Sequence, residues 1–398
     1  MRVSVGDFKL GPRERTAVME VLESNRITEG VKVAKFESLF SRYLGVEETV
    51  LVNSGTSALI TGLNALAYVK QNVKRGTNII TTPLTYIATI NAIILSGFKP
   101  SFVDVDRKTF NITPESIEAH LESVDDPTKC SIILPVHLMG YPADMDGINR
   151  IARKYGFAVL EDSAQAHGSL YKKRRICGTM SEASIFSFYI AHNIQVGEMG
   201  ALSTNDEDIA AFARRFKANG RTCDCKLCTR SKGTCPRLEA GELDPRFHHI
   251  HPGYNFKSTD IMASIGIEQL RKAEKIKEQR YRNVQYLNEG LEFLQDKLQL
   301  PVLSRDVSYF AYPLVVKELY VLRENVTRQL EERGVETRPL FGCIPLQQPA
   351  YSEHRLYYKD KLPNAEYLGN EGFYIGCHQY LEKKHLDHVV NTFKEIQW

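Results

Sequence analysis

Four cysteines fall within thirteen residues, Cys223, Cys225, Cys228 and Cys235, in the segment GRTCDCKLCTRSKGTCPR at 220–237. Their spacing is C-x-C-x2-C-x6-C. Clustered thiolates are soft metal ligands, and four of them suit either an iron–sulfur cluster or a structural zinc ion. A second constellation is FAVLEDSAQAHG at 157–168. Asp162 ends an apolar run there, where its carboxylate can project into a ligand cleft and pair with a protonated pyridine nitrogen. The same place also suits a helix N-cap. The third is the SGTS turn at 54–57, directly after the strand-like run TVLV. Ser54, Gly55, Thr56 and Ser57 can hold one phosphate on backbone N–H groups at a helix start, although a tight turn uses the same residues. No GxGxxG and no GxxxxGK[ST] occurs, so dinucleotide and P-loop nucleotide binding lose their main support.

The elements that must position these residues are legible as periodicity. Phe36, Leu39, Phe40 and Tyr43 mark one face of a helix, and Ile148, Ile151, Ala152 and Tyr155 mark another. Between and around them lie short apolar runs at 49–52, 78–82, 101–105, 131–136 and 157–160. Buried strands alternating with helices predict an α/β fold with a mostly parallel sheet covered on both faces, and ligands then sit beyond the carboxyl ends of the strands. The SGTS turn and the EDSAQAHG segment fall at such ends. A long helical pattern from about Asp260 past Ile276 predicts a connector into a smaller unit. The expected division is a large domain over 1–265, with a Cys-rich insert at about 220–250, and a connecting helix plus small C-terminal domain over 266–398.

Composition agrees with this outline. The chain has 398 residues, 43% apolar and 25% charged, which excludes a disordered chain, a coiled coil and a collagen-like fibre. No apolar run approaches the ~18 residues of a membrane span. The first residues, MRVSVGDFKLGPRERTAV, contain no apolar signal core, so the expected location is cytoplasmic and reducing, where clustered cysteines read as metal ligands. A net charge of +3 gives no argument for a nucleic-acid partner.

Six motifs in order carry a resemblance: SGTSAL after the first strand, TTPLTYIATINAI at 81–93, PVHLMGYPADMD at 135–146, EDSAQAHG, FSFY…HN…GEMGAL at 186–202, and HPGYNFKSTDIMASIGIEQL at 251–270. Together they resemble the DegT/DnrJ/EryC1/StrS sugar aminotransferases, fold-type I pyridoxal-phosphate enzymes, over nearly the whole chain. The resemblance implies that fold: a large domain with a mostly parallel sheet and a smaller C-terminal α+β domain. The family pattern SFY-x-x-Lys-Asn carries the lysine that bonds the cofactor. Here the segment is Ser187 to Asn193 and the lysine position holds His192. An imidazole forms no Schiff base, but it can act as a general base near neutral pH.

This exchange resembles the nucleotide-sugar 3-dehydratases of the family. It implies pyridoxamine 5′-phosphate (with pyridoxal 5′-phosphate as its other form) and loss of the C3 hydroxyl from a nucleotide-linked 4-keto-6-deoxyhexose, with His192 as base. The cysteine pattern is similar to the iron–sulfur CDP-4-keto-6-deoxyglucose 3-dehydrase, with two departures. Ala164 stands where that enzyme has a ligating cysteine, and the gap to the last cysteine differs. Cys228 is extra and can supply a fourth ligand beside Cys223, Cys225 and Cys235. The implied cofactor is a 2Fe–2S cluster fed by a flavin or iron–sulfur reductase, with zinc as the alternative.

Residue by residue, the resemblance gives Tyr86 as the ring-stacking aromatic, Asp162 as the partner of the ring nitrogen and Gln165 as the partner of the ring hydroxyl. Gly55, Thr56 and Ser187 are the phosphate ligands. Asn255 reaches the phosphate of a neighbouring subunit, which implies a homodimer sharing the site across its interface. His137, Glu198 and Arg338 are candidate substrate contacts, and Met199 replaces a family glycine beside Glu198. Two alternatives stand beside the dehydratase: an aminotransferase-like enzyme that works without the lysine, and a non-catalytic cofactor-binding homologue with a structural zinc site.

Overall fold

The computed structural model describes residues 1–229, 233, 235, 238, 243–317 and 321–398. The expected Cys-rich insert at 220–250 therefore lies partly outside the described residues. Among those described, the strands of the N-terminal two thirds are β1 (Glu48–Val52), β2 (Asn78–Thr81), β3 (Lys99–Phe102), β4 (Cys130–Leu134), β5 (Ala158–Asp162), β6 (Leu170–Tyr171), β7 (Arg175–Ile176), β8 (Ala183–Ser187) and β9 (Gly200–Thr204). Seven of them form one sheet in the order β1-β9-β8-β5-β4-β2-β3. The pairs from β8 through β3 are parallel, and β9 runs against both β1 and β8. This is the mostly parallel α/β sheet expected from the sequence. Strands β4, β5, β8 and β9 are buried at every residue, which is why they read as continuous apolar runs.

The covering helices are α1 (Pro12–Glu23), α2 (Val31–Leu44), α3 (Gly55–Val69), α4 (Ile87–Leu95), α5 (Pro114–Ser123), α6 (Met145–Tyr155), α7 (Glu207–Phe216), α8 (Asp260–Leu270) and α9 (Ala273–Gly290). Local signals bound several of them. The Ser54 hydroxyl accepts from Ser57 N–H at the start of α3, and Asp144 accepts from Gly147 N–H at the start of α6. Gly45 and Gly156 end α2 and α6 in the left-handed region. The predicted faces of α2 and α6 are buried: Phe36, Phe40, Ile148 and Ile151 are fully enclosed.

Two expectations shift. The long helix from Asp260 is two helices, broken at Arg271 and Lys272. Lys272 is drawn aside to pair with the buried Glu14 of α1, which also accepts from Gln269 Nε2 at 3.0 Å. The strand expected at 101–105 ends at Phe102, because Asp104 leaves the ladder to accept the backbone N–H groups of Asn364 and Ala365 at 3.0 and 2.9 Å.

A second, antiparallel sheet, β10-β11-β13-β12, comes from β10 (Leu298–Gln299), β11 (Tyr312–Val316), β12 (Arg338–Pro339) and β13 (Gly372–Ile375). The terminal helix Lys383–Glu395 packs on α9. The chain start joins this half: Val3 is buried, bridges to Val335 and donates to Gly334 O at 2.8 Å.

The sheet and α3 meet at Gly200, which pairs with Val52 on one side and Ser187 on the other. A Cβ there would stand 2.2 Å from Ser54 O and 2.7 Å from Gly55 N. Gly200→Ala is expected to destabilise the fold by about 1–3 kcal/mol, read as a lower denaturation midpoint; an unchanged midpoint would contradict this packing.

Candidate active site

A cavity of about 620 Å³ opens where the carboxyl ends of β5 and β8 meet the N-termini of α3 and α4. Ser54, Gly55, Thr56, Tyr86, Asp162, Gln165, Ser187, His192, Glu198 and Arg338 all line it. The structure thus brings together ten residues singled out from scattered motifs.

The geometry explains several residue types. Gly55 is the first residue of α3, and a Cβ on it would stand 2.7 Å from Ser187 Cβ. Only glycine lets the helix start reach the end of β8. The first N–H groups of α3 have no intrahelical acceptor and form an anion cradle with the Ser187 hydroxyl beside them. Tyr86 precedes α4 and is 61% exposed at the cavity mouth, with its ring edge-on to Phe341 at 6.2 Å. Gln165 Oε1 accepts from Met139 N–H at 2.8 Å, which leaves its NH2 for the cavity.

Asp162 ends β5 and is buried. Its carboxylate accepts from the Thr89 hydroxyl at 2.9 Å and from Ala164 N–H at 3.2 Å. Burial pushes its carboxyl up, and those two donors pull it part of the way back. Among the described residues it makes no ion pair, so the cavity offers a buried carboxylate in need of a cationic N–H partner.

His192 lies in the loop between β8 and β9, its backbone N–H bonded to Tyr189 O at 2.9 Å. Burial, followed by the field of the Arg280 guanidinium, pushes its imidazole down to about 3. The general base expected to titrate near neutrality is therefore a neutral ring throughout the physiological range. Arg280 is itself fully buried and donates to Tyr309 O at 3.1 Å and Phe310 O at 2.7 Å. Asn193, beside His192, donates to Ser308 O and Oγ at 3.1 and 2.6 Å. Both clamp the segment 308–310, which sets the Phe310 ring 5.4 Å from His192.

Six of the expected site residues lie elsewhere. His137 does not line the cavity. It is fully buried, with Nε2 2.9 Å from Glu161 and Nδ1 accepting from Ala143 N–H at 3.0 Å, so both nitrogens are engaged behind the site. Glu161 also takes Gly178 N–H, Met180 N–H and the Ser181 hydroxyl. Asn255 is exposed outside this cavity and accepts from Lys257. Cys223, Cys225, Cys228 and Cys235 line a separate pocket with Arg221, Arg246 and Lys257. Burial, then the neighbouring Cys225 thiol, pushes the Cys223 thiol up. Among the described residues, no three His, Cys, Asp or Glu side chains are placed to hold a metal ion.

The sequence reading missed Thr89, Phe310, Phe341 and Tyr374, which also line the cavity. Thr89 follows Tyr86 by three residues, one helical turn, and that spacing could have revealed it. Phe341 sits at φ 56° before Gly342 at φ 132°, a turn signalled only by the Phe-Gly pair. Phe310 and Tyr374 carry no local signal.

Histidine ring NMR checks the electrostatics. A pKa lowered by folding means a ring already neutral above it, so the His192 signals of the protein without added cofactor should stay flat from pH 8 to pH 5. A titration centred near the ordinary value of about 6.5 would contradict the buried environment.

Comparisons place this geometry among known proteins. The chain is 32% identical over 398 residues to the lipopolysaccharide biosynthesis protein RfbH of Salmonella typhimurium, covering 97% of this chain and 90% of that one. It is 32% identical over 396 residues to a dTDP-4-dehydro-2,6-dideoxy-D-glucose 3-dehydratase of Saccharopolyspora spinosa, covering 96% and 84%. Among solved structures it is similar to an E. coli GDP-4-keto-6-deoxy-D-mannose-3-dehydratase with bound hydrated PLP, at TM-score 0.85 and 26% identity over 98% of this chain and 99% of the other. The model of the DegT/DnrJ/EryC1/StrS aminotransferase family matches residues 9–394. With its fold-type I sheet and the cavity at the strand ends, the chain belongs to the DegT/DnrJ/EryC1/StrS aminotransferase family.

Proposed function

We propose that the protein is a pyridoxamine-phosphate-dependent dehydratase that removes the C3 hydroxyl of a nucleotide-linked 4-keto-6-deoxyhexose, with His192 as base. The observation that carries this reading is His192 itself: it lines the cavity, and among the described residues no lysine does. An imidazole cannot bond the cofactor aldehyde, so no enzyme amine competes with the sugar for it.

The residues fit the group. Asp162 supplies the buried carboxylate that a ring N–H⁺ would satisfy. The Gly55 and Thr56 N–H groups, with the Ser187 hydroxyl, suit its phosphate, and the Gln165 NH2 suits its ring hydroxyl. Tyr86 stands at the mouth to cover one ring face. When bound, pyridoxamine phosphate supplies an amine that condenses with the C4 ketone and a ring that takes up electrons. His192 accepts a proton on the nitrogen that faces the cavity. Phe310, Phe341 and Tyr374 exclude water from that nitrogen, and Arg338 and Glu198, which line the same cavity, meet the substrate. We assign cofactor binding to the 1–265 unit and this aromatic wall to the 266–398 unit.

Two further parts belong to the same reading. Asn255, exposed on the surface, serves the cofactor phosphate of a second copy, which makes the protein a homodimer. Cys223, Cys225, Cys228 and Cys235 would hold a 2Fe–2S cluster, which would supply single-electron transfer from a reductase, with zinc as the alternative occupant. The shared pocket supports a common ligand. The aminotransferase description of the family favours the second reading, amino transfer without a lysine.

Replacing the base tests the dehydratase reading. His192→Asn is expected to lose at least about a hundredfold in 3-deoxygenation, and His192→Lys to lose it as well. Full deoxygenation by either variant would contradict the role. A visible spectrum of protein purified without oxygen tests the cysteines: absorbance that bleaches with dithionite is expected, and a colourless protein would point to zinc or to no metal.

A further inference from the structure

His167 is the residue of the EDSAQAHG motif that the proposed chemistry leaves unused. It is 2% exposed and sits in a box of aromatic rings, 6.5 Å from Phe40, 5.7 Å from Phe186 and 5.3 Å from Phe188. Neither of its ring nitrogens has a hydrogen-bond partner among the described residues. A phenylalanine would fill such a box at no polar cost, so two unsatisfied nitrogens there need a reason.

The reason lies one ring away. His192 is asymmetric: its Nδ1 is buried without a partner, while Nε2 is the nitrogen left toward the cavity. The two imidazoles lie 6.1 Å apart between ring centres, with their planes at 68°. That separation is long for a direct bond and suits one bridging water. A neutral imidazole carries one donor and one acceptor, and the bond made by one nitrogen decides which form the other takes. If His192 is to take a proton on Nε2, its own hydrogen must reside on Nδ1, and something must accept that hydrogen. Phe310, the nearest ring to His192, offers no acceptor.

We propose that His167 is a positioning residue for His192: across one water it accepts the Nδ1 hydrogen and so keeps Nε2 bare toward the cavity. This rests on His192 being the base. Burial and the fields of His192 and Arg280 hold His167 neutral, so it always keeps a lone pair to offer. The proton balance is simple. His192 gains one proton on Nε2 and retains the one on Nδ1; the resulting cation is stabilised through the water by the His167 lone pair, and it returns to neutral when Nε2 gives its proton back.

The test uses the full-length protein labelled with ¹⁵N-histidine, read by ring ¹⁵N–¹H correlation at pH 7, with His192 assigned by loss of its signals in His192→Asn. The expected wild-type result is a single His192 form, protonated on Nδ1. His167→Phe should give a mixture of both forms, and His167→Gln, whose amide oxygen can accept, should restore the single form. His167→Leu replaces the phenylalanine variant if that one does not fold. In the cofactor-loaded enzyme, His167→Phe should lower kcat about ten- to a hundredfold while KM stays put. An unchanged His192 form in the phenylalanine or leucine variant overturns the proposal. Full turnover by His192→Asn would overturn the base assignment instead, and the spectra separate the two failures.

Discussion

A buried carboxylate that meets no cation among the described residues is the constraint on which the site depends. Asp162 stands at the end of β5, a strand enclosed at every residue. Its backbone is fixed on both sides, by Asp162 N–H to Pro135 O at 2.9 Å and His137 N–H to Asp162 O at 3.0 Å. Among the described residues its side chain has a hydroxyl and one backbone N–H for partners. Burying a charge on those terms is costly and becomes sustainable when a bound group brings a positive N–H to the cavity. The sheet sets β5 beside β8, and Asp162 and Ser187 at their ends line one cavity with Gly55 and Thr56, so the anion cradle and the carboxylate face the same space.

His192 answers to a second electrostatic demand. The proposed base must be neutral before it acts, and burial with the nearby Arg280 guanidinium keeps the ring so. Arg280 and Asn193 meanwhile grip the same short segment at 308–310. One small cluster therefore sets the charge state of the ring and fastens the aromatic wall from the C-terminal half beside it.

Much of this was legible in the sequence. Helix faces such as Phe36–Phe40 and Ile148–Ile151, and the buried strands, follow from periodicity, because one solvent-facing side or none leaves a plain pattern. Asp162, Gly55 and the absent lysine sit in contiguous motifs. His137 was misplaced for a readable reason: successive strand residues point to opposite faces, so a histidine bonded to Glu161 lies behind the sheet face that Asp162 serves. Phe310 and Tyr374 were beyond reach, because a wall assembled from distant positions leaves no local trace. The depressed pKa of His192 was hidden for the same reason, since Arg280 lies 88 positions away in the chain. The break between α8 and α9 depends on Glu14, equally remote.

The central claim is that the cavity eliminates a hydroxyl and does not exchange an amine. The direct measurement is the product formed from a nucleotide-linked 4-keto-6-deoxyhexose by the enzyme loaded with pyridoxamine phosphate, analysed by mass spectrometry and proton NMR with and without glutamate. The result expected is a sugar that has lost its C3 hydroxyl and carries no nitrogen, formed equally well in both conditions. A stable amino sugar that appears only with glutamate, its C3 hydroxyl intact, would contradict it.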